Sequence, residues 1–174
     1  KNLYQDIVDN ARAATNARMV TLVRFDPQTL TVSFIAWAGL QSSLFRTALE
    51  AARKIVPDFE PSAVTARADV NEQNRKVYFE AKTVVTTAKD LAKGVIDDRL
   101  MAIADTLAGI RFAYACPLLV HGEVRGSISF LSSSTFSEQE RRTCDAFARQ
   151  AALTLENAQM AEDLRHSREL LTVS

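Results

Sequence analysis

The stretch Gly109-Ile110-Arg111-Phe112-Ala113-Tyr114-Ala115-Cys116-Pro117-Leu118-Leu119-Val120-His121-Gly122-Glu123-Val124-Arg125-Gly126 decides the fold. Phe112 to Val120 and Val124 to Leu131 are strand-like runs rich in β-branched and aromatic residues. His121-Gly122-Glu123 joins them, with Gly122 placed where a tight hairpin needs positive φ. Strand alternation puts Phe112, Tyr114, Cys116 and Leu118 on one side and Arg111, Ala113, Ala115 and Pro117 on the other. The bulky side needs a large packing partner, and the small side leaves room.

The partner for the bulky side follows directly. Ser137, with Glu140 three residues later, is a capping box, and no Gly or Pro interrupts the chain from there to Ser174. At 1.5 Å per residue such a helix reaches roughly 55 Å, beyond the ~30 Å of a small domain, so its far end projects. Cys144, Phe147, Ala148, Ala151 and Leu155 make a wide stripe suited to covering a sheet. Met160, Leu164, Ser167 and Leu171 then follow a narrow four-three-four spacing flanked by charge, which suits a coiled-coil seam.

Toward the N-terminus, Leu3, Ile7, Val8, Ala11 and Ala14 share one helical face. Arg18 to Phe25 and Leu30 to Ala38 read as a second hairpin around Asp26-Pro27-Gln28-Thr29. Ser42 to Val56 suits a helix ending before Pro57, and residues 58 to 76 read as a loop with a short helix. Val77 to Phe79 and Thr83 to Thr87 are expected as brief strands, and Asp97 to Leu107 as a helix closed by Gly109. The layout is α+β: a central, mainly antiparallel sheet, terminal helices on one face, a helical and loop insert on the other, and a long C-terminal helix. Residues 1–158 are expected as the domain and 159–174 as the start of a linker helix.

Composition excludes several functions. Twenty-one basic and 21 acidic residues cancel without like-charge runs, so nothing recruits nucleic acid or an anionic membrane. No stretch approaches the ~20 apolar residues of a bilayer span, and the two cysteines, Cys116 and Cys144, make no disulfide framework, which suits a cytoplasmic setting. There is no glycine-rich phosphate loop, no Gly-x-Ser-x-Gly and no paired-Cys site, so no catalysis is expected. The chain starts at Lys1 without an initiator Met and ends within a helical pattern, as expected of a piece of a larger protein.

The hairpin stretch, followed by Phe136-Ser137-Glu138-Gln139-Glu140, Ala148-Arg149-Gln150-Ala151-Ala152 and Glu156-Asn157-Ala158, resembles the C-terminal half of GAF domains. The first helix and hairpin fit too, and residues 40–96 match only as a variable insert, so the resemblance covers about two-thirds of the chain. It implies a regulatory domain of sensor kinases, phosphodiesterases, phytochromes or transcription activators, often dimeric through its terminal helices. Leu3, Ile7, Met160, Leu164 and Leu171 are the expected dimer contacts. A histidine kinase is the favoured output domain of the same polypeptide.

The resemblance also places a ligand under the insert, on the sheet face away from the terminal helices. Alternation then nominates Thr21, Val23 and Phe25, Arg111, Ala113 and Ala115, and Ser127, Ser129 and Leu131 as the wall of a mostly apolar cavity for a small molecule. Alternatively, insert side chains such as Phe79 and Ile103 fill that space.

Family ligands are not evident in these residues. Cys116 faces the helices and Cys144 begins the last helix, and the Asp-Ile-Pro and Cys-His elements of bilin photosensors are missing. Haem or iron needs a histidine near the cavity, yet His121 sits at a hairpin tip and His166 on the projecting helix. The Asn-Lys and Asp-Glu elements of cyclic-nucleotide sites and the insert cysteines of the methionine sulfoxide reductase branch are not recognisable. His166 lacks the His-Glu-x-x-Thr-Pro context of a phospho-acceptor. Two readings stay open: a ligand-sensing input module, and a ligand-free dimerisation and relay module.

Overall fold

A computed structural model describes residues 2–173, the side chain of Val173 excepted. Strands β1 (Met19–Asp26) and β2 (Thr31–Ala38) form the first hairpin, and β5 (Phe112–Val120) and β6 (Glu123–Ser132) the second. The hairpins join where β6 runs antiparallel to β1. Short strands β3 (Thr65–Arg67) and β4 (Val84–Thr87) extend the two edges, giving the order β3-β2-β1-β6-β5-β4. The second hairpin turns on His121 and Gly122, both at positive φ, 53° and 78°, a twist that matches that of the strands it joins.

One face is closed by the chain termini. Helix α1 (Leu3–Ala14) starts where the Asn2 side chain accepts from the amides of Tyr4 and Gln5, and it buries Ile7, Val8 and Ala11. Helix α6 (Glu138–Val173) opens with a reciprocal cap. The Glu140 amide donates to Ser137 Oγ at 3.1 Å, and the Ser137 amide donates to Glu140 Oε1 at 3.0 Å. Cys144, Ala148, Ala151 and Leu155 then pack with Val20, Leu22, Ile128 and Phe130 of the sheet. From residue 157 to residue 172 every position of α6 is exposed.

Ile7 requires a correction. It is 3% exposed within this same core, so it has no surface to offer a second chain. The helix buries the middle of its i, i+4 stripe, Ile7, Val8 and Ala11, and leaves the two ends, Leu3 at 56% and Ala14, exposed.

The opposite face carries the insert: α2 (Ser43–Arg53), a single turn at 61–63, α3 (Glu72–Tyr78), α4 (Ala88–Leu91) and α5 (Asp98–Ala108). Val77 to Phe79, expected as a strand, instead forms the end of α3, with Phe79 as its C-cap. Local propensity loses to tertiary packing here. Asn71 Oδ1 accepts from the Asn74 amide at 2.8 Å and starts the helix. Helical spacing then sends Val77 and Tyr78 together into the sheet. Asn71 Nδ2 also donates to the carbonyls of Leu91 and Lys93, both at 2.9 Å, tying α3 to the α4 turn. Helix α5 ends as expected at Gly109, whose φ is 67°. No described helix is long and apolar enough to cross a membrane.

Candidate functional site

Between the insert and the sheet lies an apolar cavity of about 150 Å³. Its floor comes from three adjacent strands: Met19, Thr21 and Val23 of β1, Ser127, Ser129 and Leu131 of β6, and Val32, Phe34 and Trp37 of β2. The roof is almost wholly aliphatic and aromatic, from Phe45 and Leu49 of α2 through Tyr78 of α3 and Leu91 of α4 to Met101 and Ile103 of α5. No charged side chain is among its walls.

Of the residues nominated from alternation, Thr21, Val23, Ser127, Ser129 and Leu131 line this cavity. Phe25, Arg111, Ala113 and Ala115 lie off it. Phe25 stacks on Tyr78, ring centroids 5.2 Å apart, and meets Phe79 edge-on at 5.9 Å. Arg111 is held on the outside, its Nε donating to Asp105 Oδ1 at 2.8 Å. Ala113 and Ala115 are fully buried, at 0% and 1% exposure. Helices α3 and α4 pack directly on β5 there, so those small side chains admit helices rather than a ligand. Phe79 is 46% exposed and does not fill the space, whereas Ile103 is on the wall.

Trp37 and Phe34 were not foreseen. They stand three residues apart, which strict alternation puts on opposite faces. A register shift between Leu22 and Val23 sets Trp37 opposite Thr21 and Phe34 opposite Val23, so both reach the floor. Their rings stack with centroids 4.3 Å apart. Trp37 Nε1 is buried and has no hydrogen-bond partner among the described residues.

The floor carries one internal polar bridge, between Tyr78 Oη and Ser127 Oγ at 2.8 Å. Burial pushes the Tyr78 phenol up to about 12, partly opposed by that bond to Ser127. It remains a neutral hydrogen-bonding group. Thr21 and Ser129, directly opposite one another on β1 and β6, are 5% and 7% exposed, and their hydroxyls have no partner among the described residues.

The thiols sit on the other side of the sheet. Cys116 and Cys144 belong to the core beneath α6, and burial raises both, Cys144 to about 12. Tyr114 Oη donates to Asp145 Oδ1 at 2.8 Å beside them. His121 Nε2 lies 3.9 Å from Glu156 at the surface. Among the described residues no group of three or more His, Cys, Asp or Glu is arranged to hold a metal ion.

This architecture coincides with a family match: the GAF domain model covers residues 1–155. The chain belongs to the GAF domain family. Solved GAF domains share the fold at low identity. That of a two-component sensor histidine kinase from Bacillus halodurans is 11% identical, with a TM-score of 0.64, covering 92% of this chain and 98% of its own. A domain of a putative two-component sensor histidine kinase from Sinorhizobium meliloti is 19% identical, with a TM-score of 0.60 and coverages of 94% and 95%. A phycoerythrobilin-bound GAF domain from a cyanobacterial phytochrome is 15% identical, with a TM-score of 0.61 and coverages of 91% and 86%. No curated protein matches the sequence. GAF domains are generally non-catalytic sensor modules, and fold alone does not fix a ligand.

Proposed function

We propose that this GAF domain is a cytoplasmic small-molecule sensor in a signal-transduction protein, with a histidine kinase as the favoured output, and that it passes the state of its cavity to the terminal helices. The observation that carries this reading is the cavity itself, apolar and set between the sheet and a roof of short helices. The roof elements are small units that repack at low cost, which suits a lid over a ligand. The floor strands β1 and β6 hold the cavity on one face and the terminal-helix core on the other: Thr21 and Leu22, like Ser129 and Phe130, are neighbours facing opposite ways.

The output side of the proposal is a homodimer. Leu153, Met160, Leu164 and Leu171 are 57%, 55%, 55% and 77% exposed. With Asn157 and Ser167 they space as 153, 157, 160, 164, 167 and 171, a heptad seam longer than the sequence first offered. In a parallel pair, Asp163 of one copy faces Arg168 of the other at the flanking positions, and Asn157 at an inner position favours two strands in register. Leu3 sits beside Thr154 and Asn157 and extends the same surface.

A ligand-free relay draws support from Ile103, an insert side chain that already forms part of the wall. Native mass spectrometry of the freshly purified chain, beside its denatured mass, separates the readings. Retained extra mass on a dimer is the expected result; a bare dimer under all native conditions favours the relay.

A further inference from the structure

Two hydroxyls with no hydrogen-bond partner among the described residues, those of Thr21 and Ser129, line the cavity floor, and the Trp37 indole N–H beside them is buried without one. Trp37, Thr21, Ser129 and Ala115 form one continuous row across four strands, since Trp37 pairs with Thr21, Thr21 with Ser129 and Ser129 with Ala115. Three members of that row carry polar hydrogens, and all three line the cavity. A hydroxyl that faces an apolar cavity without a partner loses part of its hydration, and a ligand oxygen that accepts from it restores the bond. The neighbouring Ser127, by contrast, is answered from within the chain by Tyr78.

Size and charge limit what answers them. An apolar cavity of about 150 Å³ accommodates roughly one six-membered ring. A nucleotide or a tetrapyrrole is several times larger and enters only with a displacement of the roof helices. With no cation or anion on the walls, a charged ligand leaves its own charge desolvated and unpaired, which is far costlier than an unpaired hydroxyl.

We infer that the cavity selects a small neutral molecule, of about one ring in size, carrying a single oxygen that hydrogen-bonds to Thr21 and Ser129. Alcohols, phenols and ketones are the class. Directly opposed residues on an antiparallel pair have Cβ atoms about 5 Å apart, so one oxygen reaches both hydroxyls. The rest of the molecule contacts Trp37, Phe34 and the aliphatic roof. This inference rests on the sensing reading above and adds to it the chemistry of the ligand.

Three probes of one skeleton test it: toluene, benzyl alcohol and benzoate, titrated against the fluorescence of Trp37, the one tryptophan in the chain. Each is measured on the parent chain and on the Thr21→Val, Ser129→Ala double variant. The expected result is that both neutral probes bind, benzoate binds at least a hundredfold more weakly than benzyl alcohol, and the double variant weakens benzyl alcohol roughly fivefold relative to toluene. Toluene binding to the variant reports that its cavity is still folded. If the ratio of benzyl alcohol to toluene affinity is the same in parent and variant, or if benzoate binds as well as the alcohol, the ligand class is wrong while the sensing reading survives. If none of the three binds, both fall.

Discussion

The phenol of Tyr78, in the last turn of α3, lies 2.8 Å from the hydroxyl of Ser127 in the middle of β6. It is a side-chain hydrogen bond that ties the insert directly to the sheet, and it closes one end of the cavity floor. Tyr78→Phe keeps the ring stack on Phe25 and removes this bond, with an expected loss of about 1 kcal/mol in urea unfolding at neutral pH.

The same residue sets an alkaline limit. Its pKa of about 12 in the fold stands above the ordinary 10.0, so the unfolded chain releases the proton first. Stability from this group is complete below about pH 10 and is lost as pH rises toward about 12, at about 1.4 kcal/mol per pH unit. Melting curves from pH 9 to 12 should fall in the parent and fall less steeply in Tyr78→Phe. Equal slopes would show that Tyr78 does not govern the decline.

At the acid end the cap of α6 responds in the opposite sense. Glu140 is held below the usual carboxylate range, first by the Ser137 amide. Its contribution is present above the unfolded pKa and is lost as pH falls through the lower folded value. Ser137→Ala removes the hydroxyl half of the cap and should cost about 1 kcal/mol, read as a lower melting temperature at pH 7.

Ile7 and Leu164 separate stability from association. Ile7→Ala opens the core beneath α1 and should cost about 2 to 4 kcal/mol with the self-association constant unchanged. Leu164→Asp, on the seam proposed above, should leave the domain's melting temperature within about two degrees and give a monomer by sedimentation where the parent chain gives the proposed dimer. A Leu164→Asp chain that still sediments as a dimer refutes the seam.

Two glycines respond for different reasons. A Cβ at Gly126 meets the Val23 carbonyl oxygen at 2.3 Å, where β6 passes close to β1, so Gly126→Ala should cost upward of ~2 kcal/mol by forcing the strands apart. Gly122 has open space around it but a φ of 78°, so Gly122→Ala should cost only about 1 kcal/mol. Denaturant midpoints of the two variants give the comparison.

The sequence announced the two hairpins and α6 because each carries a strong local device: alternation across Phe112 to Leu118, a glycine at the turn, and the Ser137 and Glu140 cap. It also gave the correct face of β1 and β6. The middle of the chain was less legible, because what decides Val77 and Tyr78 is Asn71, whose side chain bonds to residues twenty and more positions away. The cavity was half legible for a related reason. Alternation identifies a face but not what lies over it, so Ala113 and Ala115 looked like room when α3 and α4 occupy it. The bulge that brings Trp37 onto the floor leaves no mark in a period of two. Ile7 and Leu3 share a helical stripe, and its spacing does not say which of them the sheet and α6 cover.

The central claim, that the space between the insert and the sheet receives a ligand, is tested most directly by methyl NMR of the chain titrated with benzyl alcohol. The account predicts the largest shifts at cavity methyls such as Leu49, Ile103 and Leu131, with smaller, relayed shifts at Leu22 and Ile128 on the far side of the floor strands and at Val8 beneath the terminal helices. Saturating probe with no shift at the cavity methyls, or with the largest shifts beneath α1 and α6, contradicts it.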